Sequence, residues 1–224
     1  MSGKFKIFCF HGDSPILFSY SITSAHMRKD FSWHALHKLL VSTHRGGTMR
    51  KQSVLWQWAG FAAVTFGGTI LHFLYDWTGG SVLVSPFSGV NESTWEYMKL
   101  LFWPLFLFAL LQRLYFKDQK NYWCIKLAEI LLGLLLIPVL FYTYNGVFGK
   151  SPDWINIAIF YISAALVFLF EWWAFKKERP PCRYPRLAFV AIFLIGVLFV
   201  VFTFIPPQIP LFQDPLTGTY GIVG

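Results

Sequence analysis

The chain has 224 residues, of which 55% are hydrophobic, 20% aromatic and only 13% charged, with a net charge of +8. Soluble domains carry about 25% charged residues, so charge has been cleared from long segments, which excludes an ordinary soluble domain and indicates a polytopic membrane protein. The positive balance does not imply nucleic acid, since residues 50–224 hold 13 basic and 9 acidic side chains and the excess gathers in a few connecting loops. Basic residues in such places orient helices and attract anionic lipid.

In chain order, residues 1–48 stand apart. They hold five of the six histidines (His11, His26, His34, His37 and His44) and no long apolar run. Asp13 and Pro15 interrupt any signal-peptide core. The segment reads either as a cytoplasmic extension or as a misplaced translation start. Arg45-Gly46-Gly47 is what a purine-rich ribosome-binding site spells in frame, and Met49-Arg50-Lys51 makes an ordinary beginning for an inner-membrane protein. Residues 49–224 form the expected membrane domain.

A helix crosses roughly 30 Å of hydrocarbon with about 20 residues. Five apolar runs have that length: Val54–Tyr75, Met98–Phe116, Trp123–Tyr144, Trp154–Phe175 and Leu187–Ile205. The predicted fold is an all-α, five-span transmembrane bundle with Trp and Tyr near the span ends. The second run is the weakest, because Lys99 and Arg113 bracket a short apolar centre and are expected to snorkel to the surfaces. Ala63 and Gly67 give the first run a small-residue face for internal packing.

Loop charge alternates. Arg50 and Lys51 precede the first span, and the connection Asp76–Tyr97 has no Lys or Arg. Arg113, Lys117 and Lys120 follow the second span, Lys150 alone follows the third, and Lys176, Lys177, Arg179, Arg183 and Arg186 precede the fifth. This positive-inside pattern predicts a cytoplasmic N-terminus and a C-terminal tail, 206–224, outside. That tail, rich in Pro and Gly, either folds back over the bundle or faces solvent. Cys9, Cys124 and Cys182 fall on the predicted cytoplasmic side and are expected to be free thiols.

The stretch GVNESTWEYMKLLFWP, 89–104, places polar groups at the outer mouth of the second span. Ser93-Thr94-Trp95-Glu96 reads as a capping box, with Ser93 accepting from the Glu96 amide and the Glu96 carboxylate reaching back to the Ser93 amide. Asn91 is the alternative cap, with Val90 and Trp95 as a hydrophobic staple. On a continuous helix Glu92, Glu96 and Lys99 would share one face. The first span ends with His72 and Asp76, four apart at the same boundary. His72, Asp76, Asn91, Glu92, Glu96 and Lys99 therefore form the candidate polar site, suited to a proton or a polar ligand. The competing reading is ordinary capping and docking of helix ends. Only one histidine remains in residues 49–224, which excludes a three-His zinc site, and no metal is expected. Glu129, with Lys126 three residues before it, is a second candidate, being an intramembrane carboxylate. Glu171, beside Trp172 and Trp173, reads as an interfacial residue that snorkels.

The chain holds no Walker A, HExxH, GxSxG or Rossmann glycine pattern and no nameable nucleophile–base pair. An enzyme is disfavoured and no cofactor is expected. The blocks LHFLYDWTGG (71–80), SGVNESTWEYMKLLFWP (88–104), FYTYNGVFG (141–149) and FTFIPPQIPLFQDPLTGTYGI (202–222) resemble those of a family of bacterial multi-pass membrane proteins, domain-of-unknown-function family 6512. In that pattern His often follows the Trp-Glu pair. Tyr97 stands there in this chain, a departure that argues against metal. The resemblance implies class and topology and no particular activity. The expected function is a small transport or permeation-type protein with a polar outer mouth and lipid as its surroundings. The alternative is a structural or interaction subunit with a membrane-protein partner.

Overall fold

The computed structural model describes residues 4–11, 14–21, 33–177 and 181–222, with side chains described from residue 54 onward. Arg179 and the side chains of Cys9 and of the five N-terminal histidines lie outside the described residues. The chain divides into two compact units, Met1–Met49 and Arg50–Gly224. In the first, β1 (Lys4–His11) pairs antiparallel with β2 (Ser14–Ser21), from Lys4 opposite Ser21 to His11 opposite Ser14. The sequence reading of 1–48 foresaw no such hairpin. The signal was short: two eight-residue runs rich in Phe and Ile, separated in sequence by a Gly-Asp pair of the kind tight hairpins favour.

The second unit is built on helices. The apolar part of α1 (Trp33–Trp77) is Val54–Trp77. It is followed by α2 (Thr94–Arg113), α3 (Tyr122–Phe148), α4 (Asp153–Lys176), α5 (Pro185–Phe204) and a single 3-10 turn at Pro210–Phe212. All five helices are long and apolar enough to cross a membrane. Their ends shift a few residues from expectation for local reasons. Ser93 caps α2, so that helix starts at Thr94, and α3 continues to Phe148, where Gly149 at φ +84° turns the chain out of the helix.

Packing overturns the ranking of the spans. The run that looked weakest, α2, is the most enclosed, with 61% of its span buried against 28% for α1 and for α5. Its polar residues Glu96, Lys99 and Gln112 face protein rather than lipid. Lys99 therefore does not snorkel but is fully buried. Around α2 and α3, the outward faces carry Phe66, Leu135, Leu187 and Phe193, all more than half exposed, while Lys99, Lys126, Glu129 and Glu171 are buried. Apolar outside and charged inside is the inverse of a soluble protein and is what a lipid environment selects.

Close helix approach depends on missing side chains. A Cβ at Gly68 of α1 would lie 2.4 Å from the Phe160 ring, and one at Gly133 of α3 would lie 2.8 Å from Leu101. The seam of α1 is thus Gly60, Val64 and Gly68, all buried, rather than one through Ala63, which is exposed. Gly67 does meet Pro104, 3.2 Å from where its Cβ would be, so the small-residue face packs internally. The tail folds back, since Phe212 is buried against Trp95 (4.5 Å between ring centroids) and Phe202 (5.5 Å).

Candidate functional site

The loop from α1 to α2 sets the geometry of one end. Ser93 is the N-cap of α2, and the Glu96 amide donates to its Oγ at 3.4 Å. The reciprocal half of the expected capping box is absent. The Glu96 carboxylate accepts instead from the Val90 amide (3.1 Å), while the Ser93 amide donates to Asn91 Oδ1 (2.9 Å). Asn91 does not cap the helix. Its Nδ2 donates to the Gly221 carbonyl (3.0 Å), tying the tail to this loop. Trp95 packs between Phe199 and Phe212, a larger cluster than the staple foreseen.

The six predicted site residues do not converge. Because α2 starts at Thr94, Glu92 precedes it and leaves the face shared by Glu96 and Lys99. Glu96 and Lys99 form a buried ion pair at 2.5 Å, and Lys99 Nζ also donates to Ser85 O (2.9 Å) and Thr203 Oγ1 (3.1 Å). Three donors meet three acceptors on the loop, α2 and α5. Glu92 turns to the other side. Its Oε1 lies 3.7 Å from His72 Nε2, and its Oε2 accepts from the Tyr97 hydroxyl at 2.6 Å. The Tyr97 ring stacks near His72, with centroids 6.0 Å apart and planes at 29°. A cavity of about 120 Å³ opens beside His72 and Tyr97, lined also by Thr69, Phe160 and Tyr161. Asp76 is exposed and makes no ion pair among the described residues. No group of three or more His, Cys, Asp or Glu side chains fit for a metal occurs among the described residues.

A second ionic cluster lies at the opposite end of the bundle. Lys126 Nζ, fully buried, is 2.8 Å from Glu129 Oε2 on α3 and in contact with Glu171 Oε1 on α4. The rings of Tyr122 and Phe108 lie 5.9 Å and 6.0 Å from the ammonium and enclose it further. Both carboxylates are fully buried, and neither Glu129 Oε1 nor Glu171 Oε2 has a hydrogen-bond partner. Gln112 Nε2 on α2 and Ser163 Oγ on α4 are also buried without partners, while the Tyr122 hydroxyl donates to Ala109 O at 2.5 Å. Glu171 is therefore not an interfacial residue that snorkels.

These features fall inside one family match: DUF6512, described as a family of unknown function, matches residues 47–222. The chain belongs to that family. Membership covers both ionic clusters and the tail, and leaves the first 46 residues outside the match. No curated protein and no solved structure matches the chain.

Sequence reasoning missed two residues of this DUF6512 chain. Tyr97 was noted only as a replacement for His, yet its hydroxyl is the shortest polar contact of Glu92. Glu171 had a legible signal. Lys126 stands four residues after the start of α3 and Glu171 five before the end of α4, so an antiparallel pair brings them to equal depth. Packing of α3 against α5 also brings two cysteines together: Cys124, near the start of α3, and Cys182, just before α5, have Cα atoms 6.4 Å apart.

Proposed function

We propose that the protein is a transport or permeation-type integral protein of a bacterial plasma membrane, N-terminus cytoplasmic and C-terminus outside, and that the positive charge it handles passes Lys126, Glu129 and Glu171. One observation carries this reading: a single buried cation faces two buried carboxylates, each with an unpartnered oxygen. With all three ionised, the bundle interior holds one uncompensated negative charge. Several kcal/mol oppose such a charge in low dielectric, so a proton or a monovalent cation is the natural fourth member. A purely structural cluster would be better served by one carboxylate. His72, Glu92 and Tyr97 form the polar station at the outer mouth, beside the small cavity. Glu96 and Lys99 hold the frame of that mouth, Asn91 ties the tail to it, and Asp76 borders it from solvent. The orientation rests on the loop charges.

The alternative, a structural or interaction subunit, draws on the Glu96–Lys99 pair, whose contacts are complete and need no further role. Flux measurements separate the two. The full chain is reconstituted in vesicles holding potassium and a trapped pH dye, and valinomycin imposes an inside-negative potential, with and without external sodium. Transport predicts charge entry that Glu129→Gln and Glu171→Gln abolish, as acidification for a proton or as sodium uptake for a cation. Entry of both no faster than in protein-free vesicles would overturn the transport reading and leave the subunit reading standing.

A further inference from the structure

At the end of the bundle that carries the α2–α3 and α4–α5 connections, a cavity of about 610 Å³ opens between the two loops. Four cations line it: Arg113 at the last position of α2, Lys117 and Lys120 in the following loop, and Arg186 in the first turn of α5. Among the described residues, none of the four makes an ion pair and no carboxylate lines the cavity. Arg113 donates to the Phe116 carbonyl and lies 5.4 Å from the Tyr122 ring, which fixes it in place without an ion-pair partner among the described residues. The nearest acid in sequence, Asp118, is exposed and outside the lining.

The rest of the wall is apolar and runs along the span. Trp123 at the start of α3 and Phe189, one turn into α5, pack at 4.6 Å between ring centroids. The cavity thus grades from four positive charges at the level where the helices end to aromatic surface at the depth where hydrocarbon begins. A free anion would use only the first part of that gradient. An amphiphile with a negative head and an apolar tail uses both.

We propose that this cavity is a binding site for an anionic phospholipid, its phosphate-bearing headgroup held by Arg113, Lys117, Lys120 and Arg186 and its acyl chains lying against Trp123 and Phe189. The site is independent of what the buried Lys126 cluster does. It requires only that the five helices stand in a bilayer, and it places the headgroup on the positively charged side. Each basic residue near an anionic surface is worth about a fivefold change in affinity.

The test uses the full chain in a neutral detergent and follows thermal unfolding as phosphatidylglycerol, phosphatidylcholine or inorganic phosphate is added. Phosphatidylglycerol should raise the unfolding temperature saturably, and the other two should not. The triple variant Lys117→Gln, Lys120→Gln, Arg186→Gln should unfold at the same temperature as the wild type without lipid. It should bind phosphatidylglycerol on the order of a hundredfold more weakly. Lys150→Gln, at the other end of the bundle, should leave the response intact. An equal response to phosphatidylcholine overturns the headgroup assignment. An equal response to inorganic phosphate means a free-anion site and overturns the lipid. A response that survives the triple variant overturns the location. If the triple variant unfolds early, native mass spectrometry of retained phosphatidylglycerol in Lys120→Gln and Arg186→Gln singly decides the same point.

Discussion

Two buried ionic clusters occupy opposite ends of this bundle, and they are built on different arithmetic. At the α1–α2 loop, Glu96 and Lys99 are paired one to one, and the lysine spends its remaining donors on Ser85 and Thr203. At the start of α3, Lys126 serves two glutamates, and an oxygen of each is left over. Both clusters pair a lysine with a glutamate three residues away on one helix, so spacing alone does not tell them apart. The third residue does. Thr203 is a neutral acceptor that completes the first cluster, and Glu171 is a second charge that unbalances the other. Completeness is what a device for holding helices together needs. Imbalance is what the proposed charge exchange rests on.

The largest expected effect comes from taking away the shared cation. Lys126→Met leaves two carboxylates buried with nothing positive beside them. Breaking a buried pair by removing one partner costs about 3–5 kcal/mol, and here one lysine compensates two. Unfolding in detergent should show a loss at or above the upper end of that range, or no folded protein at all. A loss under about 1 kcal/mol would mean that water reaches the cluster, and the contrast drawn between the two ends would collapse.

A smaller but sharper comparison sets the carboxylates against each other. Glu96→Gln strands Lys99 without its counter-charge and should cost about 3 kcal/mol. Glu129→Gln removes the surplus negative charge and leaves a neutral Lys126–Glu171 pair, so stability should stay level or rise. Thermal unfolding of the two variants side by side reads the difference directly. Equal losses would make both clusters structural and take away the argument for exchange. A gain in Glu129→Gln fits the general finding that functional groups are often kept at the expense of stability.

Class and span number were legible because they rest on composition summed over 20-residue windows, where single errors cancel. The details of the sites were not, because they rest on which helix neighbours which. Glu92 and Glu96 sit four apart, and a continuous helix would align them. Whether the helix begins before or after Glu92 depends on a cap that either Asn91 or Ser93 could supply. Ser93 wins, Glu92 falls outside the helix, and the pair is divided between His72 and Lys99. Lys99 looked like a residue straining towards water because hydropathy treats every span as facing lipid. Its helix packs against α3, α4 and α5 and meets α1 at Gly67. Glu171 was misread for the same reason, judged by its Trp neighbours in sequence and not by α3 across from it.

The smallest effect tests that cap. Ser93→Ala removes a side-chain acceptor from the Glu96 amide, a change that typically costs about 1 kcal/mol. The bond is long at 3.4 Å, which places the expected loss in the lower half of the usual range. Asn91→Ala removes two bonds with better geometry, one to the Ser93 amide at 2.9 Å and one to the Gly221 carbonyl at 3.0 Å. It should therefore cost more than Ser93→Ala, although Asn91 is not the cap, and it should also free the tail to proteolysis after Pro206. The order of the two losses is the measurement that matters. If Ser93→Ala proves the costlier, the end of α2 is held chiefly by its cap, as the sequence pattern suggested. If Asn91→Ala does, the start of α2 is held chiefly by the tail tied to the α1–α2 loop, and the His72–Glu92–Tyr97 group lies beside that tie.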